Sequence, residues 1–187
     1  MQSLSADLEE LRNRACELGA SAAKIVEVAG IRTGAWTRMK CQYGCPNYGL
    51  NLCCPPYTPS YEQMRAFLAE YAKAILVEYT FPLKEEVCVD FAAADLSMSN
   101  GLLDILLTLE KEAFLQNHYR AFALKAGRCR LCEQCNLKKC VNPIKARPSL
   151  EACGIDVFAL ANDNGFNMQV IKGPITELKV YGLLLVE

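Results

Sequence analysis

The sequence lacks the features that several common classes of protein require. Its 20 basic residues nearly balance its 21 acidic residues, so the net charge of −1 provides no basic field for nucleic acid. The longest apolar run, GLLDILLTL, is too short and too polar to cross a bilayer, and the acidic N-terminal segment contains no apolar signal core. No glycine-rich phosphate fingerprint follows a strand-like segment. We therefore expect no nucleic acid partner, no membrane span, no export signal and no bound nucleotide.

Histidine is almost absent, since His118 is the single one, whereas cysteine is abundant at eleven residues. A disulfide scaffold is typical of small secreted chains. This chain is longer, shows no export signal and has an odd number of thiols. Clustered thiols in a reducing compartment more often bind metal. We predict a cytoplasmic metal-binding protein.

The remaining composition is that of a folded protein. Hydrophobic residues make up 52% of the chain and charged residues 22%, and 187 residues can bury a sizeable core. We predict one domain over residues 1–187. Helical and strand-like patterns alternate along it, which indicates an α/β fold with a mixed or parallel sheet flanked by helices. The predicted strands are 22–28, 74–81, 121–124 and 181–187, and the predicted helices begin near residues 4, 60, 100 and 156. Ser60 and Gln63 form a Ser-x-x-Gln capping box that opens the second of these helices.

Two cysteine-rich loops, at approximately 36–60 and 127–148, each follow a predicted strand. Loops at strand ends are free to carry chemistry. If the two preceding strands are neighbours and parallel, both loops emerge at the same edge of the sheet. On that hypothesis the two cysteine loops lie together.

The second loop has the spacing of an iron–sulfur site. Cys129, Cys132 and Cys135 follow a C-x2-C-x2-C pattern, and Cys140 lies further on after four intervening residues. Ferredoxin-type loops use this interval because three thiolates can then reach three corners of a cubane. A structural zinc site usually draws on two cysteine or histidine pairs separated by a longer finger, so zinc is the less favoured alternative.

Basic side chains flank the thiols of the second loop. Nearby positive charge favours the thiolate form of cysteine. Together these side chains form a rim where an acidic redox partner protein could dock. They are Arg128, Arg130, Lys138, Lys139, Lys145 and Arg147.

The first loop reads Cys41-x3-Cys45-x7-Cys53-Cys54-Pro55-Pro56, which does not match the ligand spacing of a zinc finger. Consecutive side chains of an extended segment point in different directions, so Cys53 and Cys54 are not expected to bind one metal ion together. We predict Cys54 as the ligand, because it precedes the rigid Pro-Pro pair. Cys53 is then either a spare ligand or a packed thiol.

Eight clustered cysteines suit two [4Fe–4S] clusters. In the favoured partition, one cluster is held by Cys129, Cys132, Cys135 and Cys140, and the other by Cys41, Cys45 and Cys54. Cys53, His118 or a non-protein ligand would complete the second set. In an exchanged partition, Cys140 ligates the other cluster, as the fourth cysteine does in two-cluster ferredoxins.

The remaining cysteines are Cys16, Cys88 and Cys153. Their sequence surroundings are apolar, and free cysteine is among the most buried residue types, so we predict packed side chains. Cys153 lies nearest to a cysteine loop. His118 lies near a helix end, where a lone histidine is more typical of a structural role than of a ligand.

Three motifs together resemble a known family. KCQYGCPNYGLNLCCPPYTP, AGRCRLCEQC and CVNPIKARPSLEACGIDV are similar to motifs of an uncharacterised family of prokaryotic predicted metal-binding proteins (domain of unknown function 2284). The resemblance covers nearly the whole chain and ends in YGLLLVE. It implies metal or cluster binding but no particular reaction. The cysteines that match the family pattern are Cys41, Cys45, Cys54, Cys129, Cys132, Cys135 and Cys140, whereas Cys53 is less regular in it.

The pattern supports one favoured function and two alternatives. The favoured function is electron transfer with a redox partner protein, since fully thiolate-ligated clusters have no open coordination site. An enzyme is the first alternative, because a cluster with only three cysteine ligands would offer one iron to a substrate. A structural protein is the second, with zinc or clusters stapling the two loops and contributing folding energy.

Overall fold

The computed structural model describes residues 4–87 and 98–187. The α-helices in these residues are α1 (Leu4–Glu17), α2 (Ala35–Gly44), α3 (Tyr61–Leu68), α4 (Met98–Leu115) and α5 (Val157–Asp163). The strands are β1 (Ala22–Glu27), β2 (Lys73–Val87), β3 (Phe122–Leu124) and β4 (Ile175–Leu185). Two short 3-10 turns span Val28–Gly30 and Glu151–Cys153. Each predicted strand and helix start therefore has a counterpart, although β2 extends beyond the predicted residue 81 to Val87 and β4 begins at Ile175 rather than at residue 181.

The four strands form one sheet in the order β1-β2-β4-β3, and every neighbouring pair is antiparallel. The α/β class is confirmed, whereas the expected parallel or mixed sheet is wrong. Alternation of helices and strands along the chain does not determine strand direction. Between β2 and β4 the chain forms α4, β3 and α5, and the two strands still pair antiparallel over their apolar stretches.

The sheet buries apolar side chains on both faces. Successive side chains of a strand point to opposite faces, so Ile75 and Val77 join one core while Ala74 and Leu76 join the other. Burying each large aliphatic side chain stabilises the fold by about 1.5–3 kcal/mol. The Ile75 face is covered by α1 and α4 through Leu8, Leu11, Leu102, Leu106 and Leu109. The Leu76 face is covered by α3, α5 and the segment between β3 and α5. The contacting side chains are Met64, Leu68, Leu150, Ile155 and Leu160.

Two helix starts carry side-chain caps. At α3, the Gln63 amide donates to the Ser60 hydroxyl at 3.2 Å, and the Ser60 amide donates to the Gln63 side-chain oxygen at 2.8 Å. This reciprocal pair is the predicted capping box. At α5, the Ala159 amide donates to the Asp156 carboxylate at 3.0 Å. Each cap stabilises its helix by about 1 kcal/mol.

Three details bear on the sequence expectations. The first cysteine loop, expected as irregular chain from about residue 36, instead begins with α2, which extends to Gly44. Cys16 was expected to be packed, but it is exposed, because the buried face of α1 is formed by Asp7, Leu8, Leu11 and Ala15. Cys88 lies outside the described residues. Crossing a bilayer would need a longer or more apolar helix than any in residues 4–87 and 98–187.

Candidate metal centre

Cys41, Cys45 and Cys54 form a first cysteine group. Cys41 lies in the last turn of α2, and Cys45 caps the helix by donating its amide to the Cys41 carbonyl at 3.3 Å. Residues four apart along a helix lie on the same face. Burial raises the pKa of the Cys41 thiol, and the nearby Cys45 thiol raises it further. The end of α2 therefore holds two of the three thiols side by side.

Cys54 is the buried member of this group, with 8% of its surface exposed. Burial, the Cys45 thiol and the Cys41 thiol raise its pKa to about 11, against the opposing effect of the Lys125 ammonium. Backbone bonds hold the residue in a tight turn: its amide donates to the Asn51 carbonyl at 2.9 Å, and its carbonyl accepts from Tyr57 at 3.0 Å. At neutral pH this thiol is protonated in the metal-free protein, so metal binding must release its proton.

A second site, which we call the thiol pocket, lies between the two loops. One of its cysteines, Cys53, comes from the first loop, and the other four come from the second: Cys129, Cys132, Cys135 and Cys140. Its other lining residues are Asn51, Leu52, Leu131, Asn136, Val141 and Asn142. None of these lining residues carries a carboxylate or imidazole, so the thiols are the ionisable donors of this pocket, beside the neutral amide groups of its asparagines.

Cys53 and Cys129 connect the two loops directly. The Cys53 thiol donates a hydrogen bond to the Cys129 sulfur, which lowers the pKa of Cys129 to about 6 and raises the pKa of Cys53 far above its ordinary value. Burial opposes the shift at Cys129, while the Leu131 amide and the Lys125 ammonium support it. The hydrogen bond therefore favours the thiolate form of Cys129, which is the form that binds metal.

Asn142 supports a second sulfur in the thiol pocket. Its side-chain amide donates to the Cys132 Sγ at 3.2 Å and to the Leu131 carbonyl at 3.2 Å. The first bond places a donor on a predicted ligand sulfur. Hydrogen bonds of this kind tune the reduction potential of a cluster.

Lys125 is a functional candidate that the sequence analysis missed. Its side chain is almost fully buried, at 1% exposure. The ammonium donates to three successive carbonyls, at 2.9 Å to Ala126, 2.8 Å to Gly127 and 2.5 Å to Arg128. Burial lowers the pKa of Lys125. The thiols of Cys129, Cys53 and Cys54 and the carboxylate of Glu151 oppose this shift. The available signal was a lysine directly after the apolar strand β3 and shortly before Cys129.

The segment 148–156 brings the two loops together. The Lys125 amide donates to the Pro148 carbonyl at 3.0 Å, next to the second loop. Further along, the Ala152 carbonyl accepts from the Thr58 hydroxyl at 2.7 Å and from Arg38 at 3.0 Å, next to the first loop. The loops therefore meet, but not for the expected reason, because β1 and β3 lie at opposite edges of the sheet.

Two other predicted residues lie apart from these thiols. Both ring nitrogens of His118 are engaged, at 3.3 Å from Asp7 Oδ2 and 3.3 Å from Glu187 Oε2. His118 thus connects α1 with the last residue of the chain, in keeping with a structural role. Cys153 is completely buried in the Leu76 core, as predicted, and burial raises its pKa to about 12.

The thiols are spread across the site rather than gathered at one point. Within residues 4–87 and 98–187, no three Cys, His, Asp or Glu side chains are arranged to hold a single metal ion. A zinc ion needs its sulfur donors within about 2.3 Å of one point. A cluster instead takes one sulfur at each of several iron corners. Thiol donors serve zinc and iron–sulfur centres alike, so the donor type indicates a metal centre without specifying which.

These features define a small α/β protein with an antiparallel sheet and two groups of thiols that the segment 148–156 joins. The chain belongs to the family described as predicted metal-binding protein (DUF2284), whose family model matches residues 24–186. The resemblance read from the cysteine motifs is thereby confirmed, and the family description supports metal binding without specifying the metal. Comparisons with curated proteins and with solved structures gave no match.

Proposed function

We propose that this protein binds two [4Fe–4S] clusters and transfers single electrons to or from a partner protein in the cytoplasm. In this proposal Cys129, Cys132, Cys135 and Cys140 hold one cluster, and the first cysteine group holds the other. The observation that carries the proposal is the thiol pocket, where sulfur atoms from both loops line one cavity. Bound clusters of this type supply reversible one-electron chemistry.

Two residues of the chain would set the electrostatics of these sites. Lys125 contributes a fixed cation that lies near thiols of both sites, and a cation stabilises the more negative, reduced state. Asn142 contributes a hydrogen bond to Cys132. Both interactions raise the reduction potential relative to the same sulfur ligands without them.

The surface beside the thiol pocket suits a transient protein partner. Val141 and Ile144 are large apolar side chains with 66% and 85% of their surface exposed. Lys138, Lys139 and Lys145 are exposed around them. An apolar centre with a charged rim is typical of protein interfaces, and the positive rim fits an acidic redox protein. The rate at which such a partner associates with this surface would fall as the salt concentration rises.

Iron and sulfide counts under anaerobic conditions test the two sites. Wild type should contain about eight iron and eight sulfide ions per chain, as expected for two cubanes. Cys54→Ser and Cys132→Ser should each lose about half of both. Cys16→Ser is the matched control, because this exposed thiol lies on α1 outside both sites. Stoichiometric zinc without sulfide would contradict the cluster proposal and support a structural metal site.

A redox titration tests electron transfer itself. The anaerobic holoprotein should be reduced and reoxidised reversibly, with one-electron steps visible in its absorption and paramagnetic resonance spectra. A protein that holds iron and sulfide but takes up no electron at accessible potentials would contradict the electron-transfer role while leaving cluster binding intact.

A further inference from the structure

The two sites differ in the number of sulfur donors available. The thiol pocket has five cysteines, whereas the first cysteine group has three. Cys53 is turned toward Cys129 in the pocket, and Cys153 lies in the apolar core. A cubane has four iron corners, so the first group lacks a donor for one of them.

The turn that carries Glu151 is bonded to the chain segments beside this incomplete group. Glu151 begins the 3-10 turn Glu151–Cys153, whose Ala152 carbonyl accepts from Arg38 at 3.0 Å and from Thr58 at 2.7 Å. Arg38 lies one helical turn before Cys41 on α2, so both share a face of that helix. Thr58 lies four residues after Cys54 in the first loop. The turn that carries Glu151 is thus anchored to both chain segments that carry the three thiols.

The Glu151 carboxylate has an unused oxygen at this place. Its Oε2 atom is buried and has no hydrogen-bond partner among the residues that the structure describes. A buried polar atom without a partner is costly and calls for an explanation such as a bound ion. Burial raises the pKa of Glu151, while hydrogen bonds from its own backbone and from Ser149, together with the Lys125 ammonium, oppose that shift. The Glu151 carboxylate in turn raises the pKa of Cys41.

We propose that Glu151 is the fourth protein ligand of the first cysteine group, binding through its Oε2 atom the iron corner that the cysteines leave open. This assignment rests on the proposed function, since it requires a cluster at Cys41, Cys45 and Cys54. Lys125 balances the charge that the carboxylate adds to the site. The chain then supplies four ligands to each cluster, but one of the eight is an oxygen.

The oxygen ligand gives the two clusters different chemistry. Carboxylates suit harder cations than thiolates do, so this iron is held less firmly than an iron with four sulfur neighbours. A small anion or thiol can therefore replace the carboxylate at that corner. The first cysteine group becomes the place where a small ligand binds, and the thiol pocket stays closed.

Release of iron under mild oxidation tests the assignment. The anaerobic holoprotein is treated with ferricyanide, and the iron released is followed with a chelator in wild type, Glu151→Gln and Glu151→Cys. We expect one iron per chain to leave wild type, at least tenfold faster release from Glu151→Gln, and at least tenfold slower release from Glu151→Cys. Glu10→Gln removes an exposed carboxylate of α1 and should match wild type.

The outcomes separate this assignment from the proposed function. Equal release rates in all four proteins, with the Cys54-dependent iron present, would overturn the role of Glu151 alone. Absence of the Cys54-dependent iron from wild type would overturn both. If Glu151→Gln also loses the iron of the thiol pocket, its fold is disturbed and Glu151→Cys decides: slower release supports the assignment, and wild-type release overturns it.

Discussion

The two cysteine sites differ in how the chain holds their thiols. In the first cysteine group, Cys41 and Cys45 are fixed by α2, and Cys54 is buried in a hydrogen-bonded turn. The second loop has no helix or strand between Gly127 and Pro148. Its thiols are oriented by the Cys53–Cys129 pair and by single side chains such as Asn142. The first site is thus built by the fold, whereas the second depends more on whatever binds in it.

The largest expected contrast lies between two adjacent residues, Cys53 and Cys54. Cys54→Ser should remove about four iron ions per chain, because it deletes a ligand of the first cysteine group. Cys53→Ser should leave the iron count unchanged, since Cys53 is an additional thiol beside the four cysteines of the second loop. Iron analysis of both proteins under anaerobic conditions measures the difference. Equal losses would mean that the two sites are not separate.

Lys125→Met should affect both sites and the fold. The substitution leaves three backbone carbonyls without their buried donor, so we expect the free energy of unfolding of the metal-free protein to fall by about 3–5 kcal/mol. Loss of the cation should also lower the reduction potentials of both clusters. Urea unfolding measures the first effect, and Lys111→Met, at an exposed position of α4, is the control. A potential shift at one cluster only would contradict the shared role.

Arg38→Met should weaken the first cysteine group more than the thiol pocket. Arg38 donates to Ala152 at 3.0 Å and to Pro59 at 2.8 Å, and thereby joins α2, the first loop and the turn that carries Glu151. Loss of such support typically lowers metal affinity by about 10–100-fold. Competition with an iron chelator, followed separately for the two sites, measures this change. Equal weakening of the thiol pocket would show that the sites share their framework.

Asn142→Leu should give the smallest effect, confined to the thiol pocket. Removing the donor to Cys132 destabilises the reduced cluster, so the reduction potential of this site should fall. The stability cost should be about 0.5–1.5 kcal/mol, the usual contribution of a hydrogen bond. Redox potentiometry checks the shift, with the potential of the other site as an internal reference. An unchanged potential would mean that this bond is absent in the loaded protein.

Local signals in the sequence predicted the elements of the fold well. Ser60 and Gln63 form the expected capping box, and the apolar run from residue 74 is the central strand β2. These features depend on neighbouring residues and can be read from a short stretch of chain. Strand direction depends on which distant strands pair, and here the expectation of a parallel sheet was wrong.

The candidate site was predictable in part for the same reason. Cysteine spacing singled out the residues of both loops, whereas Cys53 and Cys54 lie in a turn rather than in the expected extended segment. The residues that support them were not predicted, because Arg38, Lys125 and Glu151 carry no motif and act through contacts with distant segments. The prediction that Cys16 is packed was wrong for a related reason, because its neighbours in sequence did not specify which face of α1 is buried.

The segment 148–156 has a consequence for communication between the sites. One end is bonded to Lys125 beside the thiol pocket, and the other is bonded to Arg38 and Thr58 beside the first cysteine group. A displacement of this short segment therefore moves groups at both cysteine sites. Binding at either place and a change of charge at the other are then thermodynamically linked, and the linkage has equal strength in both directions.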